Sequence, residues 1–494
     1  GVEDLITIRN LVDKFEVDSE GRTALFVAAR EGDLELTREL LDLDILIDQA
    51  RSDGSTPLHM AALNGHLSVV TMLLERGAAF DITNKVGVGP ILIAAEGGHL
   101  PVVEQLIAFG ASVNTIDENG TTALCCAAQN GNFAILQLLL LQGAHVNRST
   151  LNGVTSLWIS SQNGHTNVVD ALIGYGADLS MANADGASCL YVSAQNGHLS
   201  TVGTLLDSGA LVDQADEYGV TPLMIAAARG HSSVVEVLIN RGATVGHADE
   251  HGSTPLSISS CEGHYQVVKL LLLHGAVGDN RPANTTPLWR AVTNNHVDVV
   301  RLLLEHGGNV NMSRSDGATV LHVVALGSNA SLVELLLEFG ANTEAAAFAA
   351  SYTPVDVAKQ NENKEVAEVF RVTDELCTRA REGDAAHFRK CVETAFLPAP
   401  IAQWFPVLPS VKSRELLAWV RSSLRDSSAC YTALFRPVAP QLGSAKDELI
   451  ALRSRVTHNG LALIRKIVIS FLVYPKAGTR KMLRDLAERG EDSM

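Results

Sequence analysis

Apolar residues along this chain fall at helical spacing in short runs, and the runs repeat in phase. Residues 53–78 show the pattern best. Leu58, Ala61 and Ala62 make one narrow apolar face, and Val69, Val70, Leu73 and Leu74 make a second. Gly65 separates the two runs and Gly77 follows the second, each where a helix ends in a left-handed residue. Ahead of them Gly54 supplies the positive φ of a tight turn. Thr56 is placed to cap a helix, and Pro57 suits its first turn, where no backbone donor is needed. The spacing predicts a turn followed by two short antiparallel helices, the alanines of the first allowing close approach.

The unit recurs. Its turn glycine returns at Gly21, Gly54, Gly87, Gly120, Gly153, Gly186, Gly219 and Gly252, every 33 residues without a slip, and the phase then drifts through Asn284, Gly317 and Ser351. A period this long and strict belongs to a stack of small supersecondary units, not to a globular enzyme core. The Thr56-Pro57-Leu58-His59 step has counterparts at Thr122-Ala123-Leu124, Thr155-Ser156-Leu157, Thr221-Pro222-Leu223, Thr254-Pro255-Leu256, Thr286-Pro287-Leu288, Thr319-Val320-Leu321 and Thr353-Pro354-Val355. In period and signature the chain resembles the ankyrin repeat family. The resemblance spans residues 18–372, about eleven copies. Copies one, three, six and eleven depart most: Leu43-Asp44-Ile45-Leu46 lacks the Gly-Ala step, Gly89-Pro90-Ile91 and Ser188-Cys189-Leu190 replace Thr-Pro-Leu, and Ser351 replaces the turn glycine. Imperfect end copies are expected, because terminal units shield the core from water on one side.

Flanking segments read differently. Leu5, Ile8, Leu11, Val12 and Phe15 give residues 1–17 a single helix, either a cap on the stack or the remnant of an upstream copy. Residues 373–395, with Ala380-Arg381-Glu382-Gly383-Asp384 close to Ala29-Arg30-Glu31-Gly32-Asp33, read as a degenerate helix pair. Pro398, Pro400, Pro406 and Pro409 make residues 396–410 a linker, and helical patterns resume in a small domain over 411–494.

Composition supports a stack. The 494 residues are 46% apolar but only 5% aromatic, with 40 glycines, as small residues packing helix on helix require. No run is long and apolar enough for a membrane span, and no signal peptide is evident. The seven cysteines lack regular spacing, which argues against a disulfide framework and points to a reducing cytoplasmic compartment, with the nucleus left open. The net charge of −17 is uneven: from Arg371 onward there are 20 basic and 13 acidic residues, leaving 18 basic and 42 acidic before it. An acidic array is a poor nucleic-acid binder and attracts basic partners.

Catalytic motifs are missing: there is no P-loop, H-E-x-x-H, G-x-S-x-G or G-x-G-x-x-G. The histidines do not suggest metal. His66, His99, His165, His198, His231, His264 and His296 each follow the inter-helix glycine position, one per copy, where the ring is expected to bond neighbouring backbone. Cys261 and His264 lack further ligands at metal-site spacing. No cofactor or metal is expected, and the chain is read as a non-enzyme.

The family resemblance implies protein binding through turn tips and the exposed face of the first helix. At the tips this points to Lys85, Val86 and Val88; to Leu151, Asn152 and Val154; and to Glu217, Tyr218 and Val220. At the first-helix ends it points to Gln129 with Asn130, Gln162 with Asn163, and Gln195 with Asn196, a ladder of amides suited to an extended peptide or a mark of repeat duplication. Apolar tip residues are the more informative, since they stand in solvent unless covered. Trp158, Tyr191, Met224 and Trp289 replace the histidine of the Thr-Pro-Leu-His step and are expected to pack between copies.

The expectation is an all-α ankyrin solenoid followed by a helical domain, acting as a monomeric scaffold or adaptor. Its partner is a protein with a basic or amphipathic segment. Two alternatives stand beside it: a regulatory fragment of a larger kinase, channel or ubiquitin ligase, and a membrane-associated adaptor using Arg480, Lys481, Arg484 and Arg489. A membrane role is the less expected.

Overall fold

The structure, a computed structural model, describes residues 17–18, 21–43, 45–277, 286–347 and 351–382. The helix expected over residues 1–17, the drift position Asn284, and every reading beyond residue 382 lie outside or almost wholly outside these. The fold is all-α, and among the described residues the only β pairing is in isolated bridges. No helix among them is long and apolar enough to cross a membrane.

Two compact units divide the chain, Gly1–Pro255 with Leu273–Gly275, and Leu256–Leu272 with Ala276–Met494. The first unit is built from helix pairs in strict alternation. They are α1 and α2 (Ala24–Glu31, Leu34–Asp42), α3 and α4 (Pro57–Leu63, Leu67–Glu75), α5 and α6 (Pro90–Glu96, Leu100–Ala108), and α7 and α8 (Ala123–Gln129, Phe133–Leu141). Next come α9 and α10 (Ser156–Asn163, Thr166–Gly174), α11 and α12 (Cys189–Gln195, Leu199–Asp207), and α13 and α14 (Pro222–Arg229, Ser232–Asn240). Each first helix packs on the first helix of the next copy and on its own second helix, so the core runs as a continuous seam through the stack.

The sequence reading of each position holds in the coordinates. Thr122, Thr155 and Thr221 cap α7, α9 and α13, their hydroxyls accepting from the backbone N–H of Cys125, Trp158 and Met224 at 3.1, 3.1 and 3.3 Å. A cap of this kind contributes about 1 kcal/mol. Gly164 ends α9 at φ 74°, in the left-handed region. The stripes Val69, Val70, Leu73 of α4 and Val168, Val169, Leu172 of α10 are fully buried. Burying each such side chain contributes about 1.5–3 kcal/mol.

The turns are more ordered than a simple turn. Antiparallel bridges join Ile116 to Thr122, Ser149 to Thr155 and Ala182 to Ser188, making a short finger before each first helix.

The eighth copy follows as α15 and α16 (Pro255–Glu262, Tyr265–Leu273). Within the second unit come α17 and α18 (Pro287–Thr293, Val297–Glu305), α19 and α20 (Val320–Leu326, Ala330–Glu338), α21 (Pro354–Gln360) and α22 (Lys364–Glu382). Here other residues take over glycine's conformation: Asn295, Ser351 and Glu362 sit at φ 62°, 54° and 53°. The last helix, α22, runs unbroken through residue 373, where the degenerate pair was expected to begin.

Candidate functional site

Each finger is shaped by its own sequence. Asp216 Oδ1 accepts from the backbone N–H of Tyr218 at 2.9 Å and of Val220 at 2.8 Å, and Gly219 closes the turn on the Asp216 carbonyl at 3.1 Å. Asp117 does the same for Asn119 and Thr121 at 2.9 and 2.7 Å. An aspartate holding its own turn leaves the next residues at the tip. Glycine is needed at the bend for a second reason: a Cβ on Gly186 would lie 2.8 Å from the Glu217 backbone nitrogen of the adjacent finger.

That close approach produces a hydrogen-bonded row. Lys85 N donates to Asp53 O at 2.9 Å, Glu118 to Val86 at 3.1 Å, and Leu151 to Asn119 at 2.8 Å. Ala184 donates to Asn152 at 2.9 Å, Glu217 to Asp185 at 3.1 Å, and Glu250 to Tyr218 at 3.2 Å. Donors and acceptors both advance by 33 residues, so the tips form one ridge along the first unit. One backbone N–H and one carbonyl of each of these fingers are thus committed to the row.

The nine predicted tip residues divide by depth. Val86, Leu151 and Tyr218 are 53%, 78% and 55% exposed, and Lys85, Asn152 and Glu217 stand in solvent beside them. Val88, Val154 and Val220 are half-buried at the base of the finger, where the chain turns into the first helix. The Tyr218 hydroxyl bonds to Glu217, and this bond with the carboxylate's charge raises the phenol above its ordinary range.

The amide ladder is split by function. Asn130 Nδ2 donates to the Glu96 carbonyl at 2.9 Å, Asn163 to Gln129 at 2.9 Å, and Asn196 to Gln162 at 3.2 Å. These asparagines fasten one copy to the one before it. The side chains of Gln129, Gln162 and Gln195 make no hydrogen bond among the described residues, and Gln129 is exposed while the other two are half-buried.

The histidine row bonds backbone, as the glycine-histidine spacing suggested. His66, His99, His165, His198, His231 and His296 place Nε2 at 2.9, 2.9, 3.0, 2.9, 3.0 and 2.8 Å from the carbonyls of Arg30, Leu63, Gln129, Gln162, Gln195 and Cys261.

The four residues replacing histidine in the Thr-Pro-Leu-His step pack inward. Met224, Trp158 and Trp289 are buried and Tyr191 is half-buried. Trp158 keeps the histidine's bond: its Nε1–H donates to Ala187 O at 2.9 Å, as His59 Nε2 does to Val88 O at 3.1 Å. Burial, then the charge and bond of Asp216, push the Tyr191 phenol up to about 12. Arg314 lies 5.8 Å over the Trp289 ring, a cation–π contact.

No curated protein matches the chain in sequence. Among solved structures, the crystal structure of the human ASB11 ankyrin repeat domain is similar at 23% identity and a TM-score of 0.41, covering 45% of this chain and 99% of that one. The family model for ankyrin repeats (3 copies) matches in overlapping segments, 2–85, 77–150, 140–216, 157–249, 192–282, 223–314 and 288–373. With most of its length so matched, the chain belongs to the ankyrin repeat family.

Proposed function

We propose that this chain is a non-enzymatic adaptor that holds a protein partner along the tip ridge and the adjoining first-helix ends of its third to seventh copies. The observation that carries this is the exposure of Val86, Leu151 and Tyr218 on fingers held in one row by backbone hydrogen bonds. Large apolar side chains in solvent are unfavourable unless something covers them. Glu118, Asp185, Glu217 and Glu250 stand exposed on the same ridge and favour a partner with a basic or amphipathic segment. Gln129, Gln162 and Gln195, at the C-terminal ends of α7, α9 and α11, offer further side-chain amides. The adaptor is read as monomeric and cytoplasmic, in keeping with free cysteines at 125, 126, 189 and 261.

The test is peptide selection against the full chain and against a Val86→Ser, Leu151→Ser, Tyr218→Ser variant of equal helicity by circular dichroism. Binders enriched on the wild type and lost on the variant support the ridge. Binders indifferent to the three substitutions would overturn it.

A further inference from the structure

An asparagine followed by glycine readily loses its side-chain amide, because glycine has no Cβ to keep its backbone nitrogen away from the asparagine Cγ. Six such steps fall among the described residues, and a seventh, Asn459-Gly460, lies outside them. They occupy two places in the copy. Asn64, Asn130, Asn163 and Asn196 precede the glycine between the two helices, while Asn119 and Asn152 precede the turn glycine of a finger.

The two places hold the amide differently. Asn130, Asn163 and Asn196 have Nδ2 bonded to a carbonyl of the copy before, and Asn64 Nδ2 donates to Met60 O at 2.9 Å. His165 and His198 bond the same carbonyls as Asn163 and Asn196, so freeing either amide disturbs a joint of two bonds. The side chains of Asn119 and Asn152 make no hydrogen bond among the described residues, and both residues are exposed. These two differ in the glycine that follows: Gly120 is buried and Gly153 only half-buried. The glycine N–H is bonded within its own turn at either place, Gly153 N to Thr150 O at 3.0 Å and Gly164 N to Ser161 O at 3.3 Å. That bond therefore does not separate them, but opening a surface turn costs less than opening a joint between packed copies.

We propose that Asn152 is a site of spontaneous covalent modification, its amide converted to aspartate and isoaspartate through a cyclic imide with Gly153. The Gly153 nitrogen gives its proton to solvent base and attacks Asn152 Cγ. The new N–C bond forms as the Cγ–Nδ2 bond breaks, and ammonia leaves. Water then adds to either ring carbonyl and opens the imide to one carboxylate. Either product places a negative charge beside Leu151. Isoaspartate does more. The chain then runs through Cγ, one atom longer, and the carbonyl oxygen that accepts the Ala184 N–H at 2.9 Å becomes part of a free carboxylate. The finger row loses its regular acceptor there. The inference does not depend on the partner reading above, although it alters the same tip.

The full chain held in mildly alkaline buffer, native and in denaturant, tests it. Peptide mass spectrometry follows the acid content of each Asn-Gly step, and isoaspartyl methyltransferase labelling separates the two products. The ratio of denatured to native rate gives the protection of each site free of its local sequence. Protection at Asn152 is expected to be at least about fivefold smaller than at Asn130, Asn163 and Asn196, with Asn119 between. A His165→Ala chain of wild-type helicity should react faster at Asn163 and no faster at Asn152. Protection at Asn152 equal to or above that of the joint asparagines would overturn the assignment. An unchanged rate at Asn163 in His165→Ala would overturn the joint as the source of protection. Aspartate without isoaspartate at Asn152 would overturn the cyclic imide.

Discussion

The imidazole of His198 lies directly over Gly164: a Cβ on that glycine would fall 2.5 Å from His198 Nδ1, while His198 Nε2 sits 2.9 Å from the Gln162 carbonyl. The glycine thus answers to two constraints, a φ of 74° and a ring overhead. Gly164→Ala is expected to cost about 1–2 kcal/mol for the left-handed backbone and a further 1–3 kcal/mol for the clash. In a His198→Ala background only the first cost remains. A double-mutant cycle by urea denaturation checks this, and strict additivity would show that the ring is not the obstacle.

Two histidines act as neutral caps. His59 Nδ1 receives the Thr56 backbone N–H at 3.1 Å and lies 2.8 Å from the Thr56 hydroxyl, and His322 repeats this with Thr319 at 3.1 and 2.9 Å. Their Nε2–H groups donate to Val88 O and Tyr352 O, each at 3.1 Å, so Nδ1 must stay unprotonated. Burial holds both rings below the ordinary histidine range, against smaller opposing effects of the carbonyls they bond. A depressed folded-state value means the unfolded chain takes up the proton first. The contribution is whole above about pH 6.5 and is lost as pH falls below it toward the folded-state value. Melting temperatures across pH 5 to 8 should fall less steeply for His59→Leu with His322→Leu than for the wild type. Leu92 already occupies the equivalent place in the third copy.

Trp158 supports the neighbouring finger through one bond. Its target, the Ala187 carbonyl, also accepts from Asn183 N at 3.1 Å, so removing the indole N–H leaves one donor in place. Trp158→Phe should therefore cost only about 1 kcal/mol, whereas Trp158→Ala, which also opens a cavity, should cost about 3–5 kcal/mol. Chemical denaturation distinguishes the two.

Ser260 is a site for improvement. Its hydroxyl is buried with no hydrogen-bond partner among the described residues. At the same register the second, third, fourth, sixth and seventh copies carry Ala62, Ala95, Ala128, Ala194 and Ala227, all buried. Ser260→Ala should stabilise the fold by about 1 kcal/mol, from the relieved hydroxyl and better helix propensity. A thermal midpoint at or below that of the wild type would contradict this.

The helix pairs could be read from residues such as Thr155, Leu157 and Gly164 because caps, stripes and helix ends act within a few residues of where they are written. The tip row could not be read, because the partner of Leu151 N is Asn119 O, one copy away, and no local pattern announces it. The same gap separates Leu151 from Val154. Both are apolar and both flank Gly153, yet one stands in solvent and the other is tucked beneath the finger. The Gln-Asn recurrence was visible, but that its asparagines spend their amides on fastening copies together required the fold. The turn at Ser351 also shows that the left-handed conformation is dictated by the stack and not by the presence of glycine.

The joint between copies has a direction. The earlier copy presents a carbonyl, at Gln129 or Gln162, and the later one brings both donors, Asn163 with His165 or Asn196 with His198. At the joint that follows, Arg229 stands at the asparagine position and His231 alone bonds the Gln195 carbonyl. Excising residues 154–186, one whole period of 33, would bring Asn196 and His198 to the Gln129 carbonyl with every joint restored. Loss of part of a period breaks that register. Loss of that whole copy is therefore expected to leave a product that still folds. The near-identical ends Gln129-Asn130-Gly131, Gln162-Asn163-Gly164 and Gln195-Asn196-Gly197 are what copying of whole repeats leaves behind.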